Sequence, residues 1–257
     1  MISIKLSTIF FYNKLIIKKM SDIIHNSAKY SLGAQIFTGV VDVLALQVDV
    51  DPKDFVIKQL LGLELVVQMI EAVFYIWMVK SFHKVDEITK FRYYDWVLST
   101  SIMLYTLIIY LVYLQDENNG KTLSEIQEEH KGTIQTVLLL NLLMLMFGYL
   151  GEIKKLDTCA SVGIGYLPFL TYFKLIYDKY VRSDVLEKKN VSTENKKQIR
   201  QLFWYFYIFW SMYGVAAYMP YKPKNVAYNV LDLFSKNFFG LFLSYQVYKK
   251  RKIIKIN

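Results

Sequence analysis

Long apolar runs constrain this chain more than any other feature. A helix that crosses a bilayer needs ~20 mostly apolar residues, because the hydrocarbon core is ~30 Å thick and each residue rises ~1.5 Å. Seven stretches approach that length: Ser27–Val48, Phe55–Val79, Phe91–Leu114, Thr133–Leu150, Thr158–Ile176, Leu202–Met219 and Val226–Tyr248. Their connections are short and polar, so 257 residues leave no room for a second domain. Hydrophobic residues make up 54% of the chain, above the roughly 45–50% of soluble domains, glycine included. The single cysteine, Cys159, excludes an internal disulfide framework and a zinc centre built on cysteine pairs. A formal charge of +9 then suits a membrane surface better than a nucleic acid. The expected fold is an all-α membrane protein, a seven-transmembrane helix bundle in contact with lipid. No enzymatic constellation, metal ligand set or nucleic-acid partner is expected, and oligomers stay open.

Lysine and arginine near span ends mark the cytoplasmic side. One set of loops, with the Lys249–Lys255 tail, carries fifteen basic residues and the other set eight. The N-terminus is therefore expected outside and the C-terminus in the cytoplasm. Residues 1–26 are expected as an N-terminal extension, 27–250 as the seven-helix domain and 251–257 as a basic cytoplasmic tail. Met1–Met20 reads as a signal peptide without a small-residue cleavage site, as an interfacial basic helix, or as a segment upstream of a start at Met20.

Ionisable residues inside spans cost ~2.5–3.5 kcal/mol each on insertion scales, so each marks a functional candidate. Span two holds Glu64 and Glu71, span three opens with Arg92 and Asp95, and span seven holds Asp232 and Lys236. Asp42 lies late in span one, within reach of the interface. Lys236 stands ~16 Å into its span, near the midplane. An ammonium there is paired, deprotonated or covalently bonded. Asp232 lies one turn earlier on the same face. Lys236, Asp232, Asp95 and Arg92 balance in charge and could simply fix helix packing. Tyr93, Tyr94, Trp96, Phe203, Phe206, Tyr207, Trp210 and Phe234 surround them. Such a setting either packs the bundle or lines a pocket for a long apolar aldehyde.

The run Arg92-Tyr93-Tyr94-Asp95-Trp96 in span three and Asp232-Leu233-Phe234-Ser235-Lys236 in span seven resemble the signatures of microbial (type I) rhodopsins, over residues 27–250. The resemblance implies that Lys236, on the seventh helix, carries all-trans retinal covalently as a protonated Schiff base. It makes Asp95 the primary counterion and Asp232 the second. Tyr93, Trp96, Thr100, Phe203, Phe206, Tyr207 and Trp210 would contact the polyene, and Arg92 would close its outer side.

Departures from the family's proton pumps bear on function. The pumps' helix-three triplet here reads Asp95, Ser99, Thr106, so a threonine stands where a carboxylic donor belongs. Outer release carboxylates are missing, Tyr207 replaces a proline, and Asn237 follows the lysine. Glu64 and Glu71 share one face of span two, ~10 Å apart in height. With Ser31, Arg92, Ser99, Asn229 and Asn237 they would line a polar seam between helices one, two, three and seven. Acidic seams favour cations, monovalent ones and by extension divalent ones; the glutamates could instead be interhelical hydrogen-bonding groups. The constellation Ser31, Glu64, Glu71, Arg92, Asp95, Asn229, Asp232 and Asn237 resembles the light-gated cation channels among rhodopsins of giant viruses that infect algae. The expected function is therefore a light-gated cation channel, with an outward proton pump of slow reprotonation or a photosensor as alternatives. Glu64→Gln and Glu71→Gln are both expected to leave the visible spectrum nearly unmoved.

Overall fold

The structure is a computed structural model that describes residues 2–81, 87–116 and 120–252, with side chains described from residue 23 onward. The described residues form helices: α1 (Ile2–Leu46), α2 (Phe55–Ser81), α3 (Thr89–Gln115), α4 (Leu123–Glu152), α5 (Thr158–Ile176), the short α6 (Ser183–Lys188), α7 (Thr193–Ala217), α8 (Tyr221–Asp232) and α9 (Phe238–Lys249). A π-helical turn, Leu233–Asn237, joins α8 to α9, so the two make the seventh long helix of the bundle. α1 runs unbroken past the expected boundary at residue 26.

Caps explain several starts. The Thr122 hydroxyl and the Glu125 side chain each accept from the other's backbone N–H, a capping box that opens α4. Asp157 caps α5 by accepting from the Cys159 and Ala160 amides, and Ser192 caps α7 by accepting from Asn195. α4 and α7 begin well before the apolar runs because their first turns are polar and charged and are held by caps, not by apolar periodicity.

Successive long helices pack on each other, and α8 and α9 return onto α1, which closes a ring. α3 stands inside it. From Met103 to Gln115 nearly every α3 side chain is buried, the signature of a helix that is apolar all round. This half of α3 packs with Ile57, Leu60 and Leu61 of α2, Phe169 and Phe173 of α5, and Phe203 and Phe206 of α7. Four helical segments among the described residues are long and apolar enough to cross a membrane on composition alone. The first and seventh helices carry their polarity on faces turned into the ring, which lowers their mean hydropathy while leaving Ile36, Phe37, Val40, Leu44, Phe238 and Tyr245 exposed outward.

One end of the ring is tied by its termini. Val50 and Arg251 form an antiparallel bridge, and the Lys252 amide donates to the Asp49 carbonyl at 2.8 Å. Asp54, buried, accepts from the Tyr113 hydroxyl and lies 3.7 Å from Lys250 Nζ. The basic tail expected from residue 251 therefore begins docked on the α1–α2 connection, and its residues 253–257 lie outside the described residues.

Candidate functional site

Lys236 sits in the π turn, a local widening that recurs at functional sites. It is 1% exposed. Its Nζ donates to Asp95 Oδ2 at 2.5 Å, with Glu71 Oε1 at 3.4 Å and Asp232 Oδ1 at 3.7 Å. Three carboxyl groups from α2, α3 and α8 thus converge on one amine.

Asp232 is held on both oxygens. Tyr75 donates to Oδ2 at 2.7 Å, Tyr213 to Oδ1 at 2.8 Å, and Arg92 Nη1 to Oδ2 at 3.2 Å. Arg92 is fully buried and reaches across to α8, where it donates to the side chains of Asn225 and Asn229. Asn225 is fixed in turn by donating to Thr89 at 2.9 Å and to the Tyr221 carbonyl at 2.8 Å. Two cations therefore face three buried carboxyls, and the group balances when one of the three carries a proton. The expected four-member balance omitted Glu71.

That placement corrects one expectation. Glu71 was expected to leave the spectrum nearly unmoved; although it is on another helix, it is one of the three carboxyls around Nζ. Glu64 lies two turns away on α2, buried beside Thr106 of α3 and apart from Nζ. The visible spectrum is thus expected to respond to Glu71 and not to Glu64.

Beside Lys236 lies a mostly apolar cavity lined by Tyr93, Trp96, Thr100, Met103, Met144, Leu145, Tyr166, Phe169, Trp210, Tyr213 and Tyr228, with Gly148, Gly165 and Gly214. A Cβ on Gly148 would press on the Tyr93 ring, and one on Gly214 on the Tyr166 ring, so both glycines keep room for aromatic walls. Thr100 donates to the Trp96 carbonyl at 2.6 Å and accepts from Asn141 at 2.9 Å. Of the expected lining, Tyr93, Trp96, Thr100 and Trp210 face the cavity. Phe203, Phe206 and Tyr207 do not; they stand behind it, with Phe206 against Trp210 and Phe239 and Tyr207 against Phe169 and Phe173. The reason is depth. Phe203 is seven residues, ~10 Å, before Trp210 along α7, while the cavity extends the other way to Gly214 and Ala217. Tyr94 and Phe234 point outward, 66% and 48% exposed.

Polar side chains continue along the α1–α2–α8/α9 junction. Ser31 donates to the Asn229 carbonyl at 3.0 Å, and Asn229 donates to Ser27 at 2.8 Å. Asn237 donates to Thr38 at 3.0 Å and Gln68 at 3.2 Å, and Gln68 donates to the Lys236 carbonyl at 3.3 Å. Asp42 is fully buried, not interfacial, and accepts from Ser244 at 2.7 Å. Ser99 is buried but donates within its own helix, to the Asp95 carbonyl at 2.9 Å. Sequence reasoning missed Tyr75, Tyr213, Asn225, Gln35, Thr38 and Gln68. The α1 members were findable, because Ser27, Ser31, Gln35, Thr38 and Asp42 recur every three or four residues.

A ring of seven long helices around a buried lysine with clamped aspartates is matched by a family model for bacteriorhodopsin-like proteins over residues 28–250. The chain belongs to that family. Its members are light-driven transporters or sensors that bind retinal. Among solved structures, the rhodopsin resembles viral rhodopsin OLPVRII at 27% identity, covering 88% of this chain and 98% of that one with a TM-score of 0.71. Xanthorhodopsin, described as a light-driven ion pump with a dual chromophore, matches at 16% identity over 91% and 95% of the two chains with a TM-score of 0.69. Thermophilic rhodopsin from Rubrobacter xylanophilus matches at 17% over 87% and 96% with a TM-score of 0.67. No curated protein matches the chain. The residues present fit retinal: a long apolar polyene suits the aromatic and glycine-lined cavity, and the Lys236 amine stands at its wall with Asp95 in hydrogen-bond contact.

Proposed function

We propose that this rhodopsin is a light-gated cation channel, oriented with its N-terminus outside and its C-terminus in the cytoplasm, and that all-trans retinal is held covalently on Lys236. The carrying observation is the polar seam. Ser31, Gln35, Thr38 and Asp42 of α1 face Glu64, Gln68 and Glu71 of α2 and Asn229, Asn237 and Ser244 of the seventh helix, all buried. A bundle that only packed would not bury so continuous a polar stripe, since each group costs free energy unless paired. Several are not paired: Gln35, Asp42 Oδ2 and Asn237 Oδ1 have no hydrogen-bond partner among the described residues.

When bound, retinal supplies a light-driven change of shape next to the Lys236 nitrogen. The chain's own residues convert that change into opening. Asp95 Oδ2, 2.5 Å from Nζ, accepts its proton. The site then loses one buried charge pair, and the field that holds Arg92 to Asp232 and Asn229 weakens on one side. Arg92 ties α3 to α8, and Tyr75 ties α2 to α8 through Asp232, so release of either loosens the outer seam. The contact is a two-state element biased by one moved proton. Cations, sodium or potassium and by extension calcium, enter the hydrated seam between acidic side chains.

The proton-pump reading keeps one observation, the short Lys236–Asp95 contact. Against it stands the other half of α3, where the buried block Met103–Leu114 offers no carboxyl and Thr106 spends its hydroxyl on the Ile102 carbonyl at 2.9 Å. Illuminated vesicles containing the retinal-loaded protein separate the readings. A channel collapses an imposed sodium gradient in light and builds no gradient where none exists; a pump acidifies one side without any gradient.

A further inference from the structure

We propose that the Tyr205 hydroxyl of α7 holds the π turn that carries Lys236, and so aims the lysine amine at Asp95. Tyr205 is a positioning residue. It does not line the cavity and acts through the backbone of Leu233–Asn237. The proposal rests on the reading that retinal is attached at Lys236, and it stands whether the protein conducts or pumps.

The π register deprives one carbonyl of its usual partner. In an α-helix the Phe234 carbonyl accepts from the amide four residues on, that of Phe238. Here the Phe238 amide donates to the Leu233 carbonyl, five residues back. The Tyr205 hydroxyl donates to the Phe234 carbonyl in its place. Phe234 is 48% exposed on the outside of the ring, where lipid offers no donor and an unsatisfied carbonyl is costly. The hydroxyl therefore steadies the wide turn against the α register, in which Phe238 would satisfy the same carbonyl. A second tie comes from α2, where Gln68 donates to the Lys236 carbonyl at 3.3 Å.

Ring packing brings the hydroxyl to that place. Tyr205 stacks on Phe238 with centroids 4.4 Å apart and lies 4.5 Å from Phe209. Phe209 stacks on Phe234 at 5.3 Å. Two aromatics of α7 thus interleave with the two that flank Lys236 on its own helix. Further along, α7 lines the cavity with Trp210, Tyr213 and Gly214. One helix therefore touches both the cavity and the backbone of the lysine, and a push on the cavity wall reaches the π turn through Tyr205. Without the hydroxyl the turn shifts towards the α register, and Lys236 turns away from Asp95, which it now meets at 2.5 Å.

The test begins on the full chain in lipid, without retinal. The pair Phe-Ser occurs once in the sequence, at Phe234-Ser235. Isotope-labelled phenylalanine carbonyls with labelled serine nitrogens therefore isolate this one carbonyl in solid-state NMR. Tyr205→Phe, which keeps the ring and removes the hydroxyl, should move its signal upfield. Phe209→Leu, which removes a ring and keeps the hydroxyl, should not. If Tyr205→Phe fails to fold, a fluorinated tyrosine in place of Tyr205, a stronger donor, should move the signal downfield. Once retinal is added, Tyr205→Phe should shift the visible band to the red, as Asp95→Asn does. It should also speed bleaching by hydroxylamine in the dark about fivefold, the net worth of one hydrogen bond. An unmoved carbonyl signal in Tyr205→Phe would overturn the proposal. A moved signal with the wild-type band and bleaching rate would overturn it too, and would leave Tyr205 as a tie between helices. Equal effects of Phe209→Leu would assign them to ring packing and overturn it likewise. A carbonyl that responds to Tyr205→Phe in a chain whose wild type takes up no retinal would keep the tie and refute the attachment reading instead.

Discussion

At the scale of single residues, the proposed function turns on the ammonium of Lys236. Lys236→Ala should fold and give no visible band when all-trans retinal is added; attached pigment in that variant would refute the attachment point. Asp95→Asn removes the acceptor 2.5 Å from Nζ and should red-shift the band. Glu71→Gln, at 3.4 Å, should shift it in the same direction by less, and Glu64→Gln should change photocurrents without moving the band. The visible spectra of the three variants rank these distances directly. These charges were legible in the sequence because acids and lysines stand out in apolar runs. Tyr75 and Tyr213 were not, although they grip Asp232 as firmly as Arg92 does. A tyrosine within a span gives no hint of what its hydroxyl meets, and this chain has 21 of them. Asp42 was misread for a related reason: its distance from the span end suggested the interface, while its burial depends on Ser244 and Gly240 of another helix.

At the scale of elements, the seven apolar stretches were readable, and their inner geometry was not. Helix ends shifted outward because capped, charged first turns carry no hydropathy signal. The π turn at Leu233–Asn237 is a change of hydrogen-bond register that leaves no mark in composition, yet it helps set where Lys236 points. The extent of the cavity along α7, towards Gly214 and Ala217, was also out of reach. Two substitutions test the element-level account. Gly214→Ala should press on the Tyr166 ring and reduce retinal uptake, read as pigment yield per folded protein; unchanged yield would mean that the wall yields freely. Tyr113→Phe removes the hydroxyl donor of Asp54, leaving Lys250 beside it, and should cost about 1.5–3 kcal/mol, the net worth of a hydrogen bond to a charged group, read as a lowered Tm of the pigment.

At the scale of the whole molecule, the ring has two unlike halves. One side, around α3 to α7, is a dense aromatic and aliphatic wall that suits an apolar cofactor. The other, where α1 and α2 meet the seventh helix, buries a stripe of hydroxyls, amides and acids that an inert bundle has no reason to keep. On the proposed function, light acts at the boundary between them, where Lys236 touches Asp95. The central claim is that the polar half conducts cations passively once that contact changes. Its most direct measurement is the reversal potential of the light-evoked current under voltage clamp, in cells loaded with retinal, as external sodium is replaced stepwise by N-methylglucamine at constant pH. The account predicts a current that changes sign within the accessible voltage range and whose reversal potential moves negative as sodium is withdrawn. A current that stays outward at every voltage and ignores sodium would contradict it and identify a proton pump.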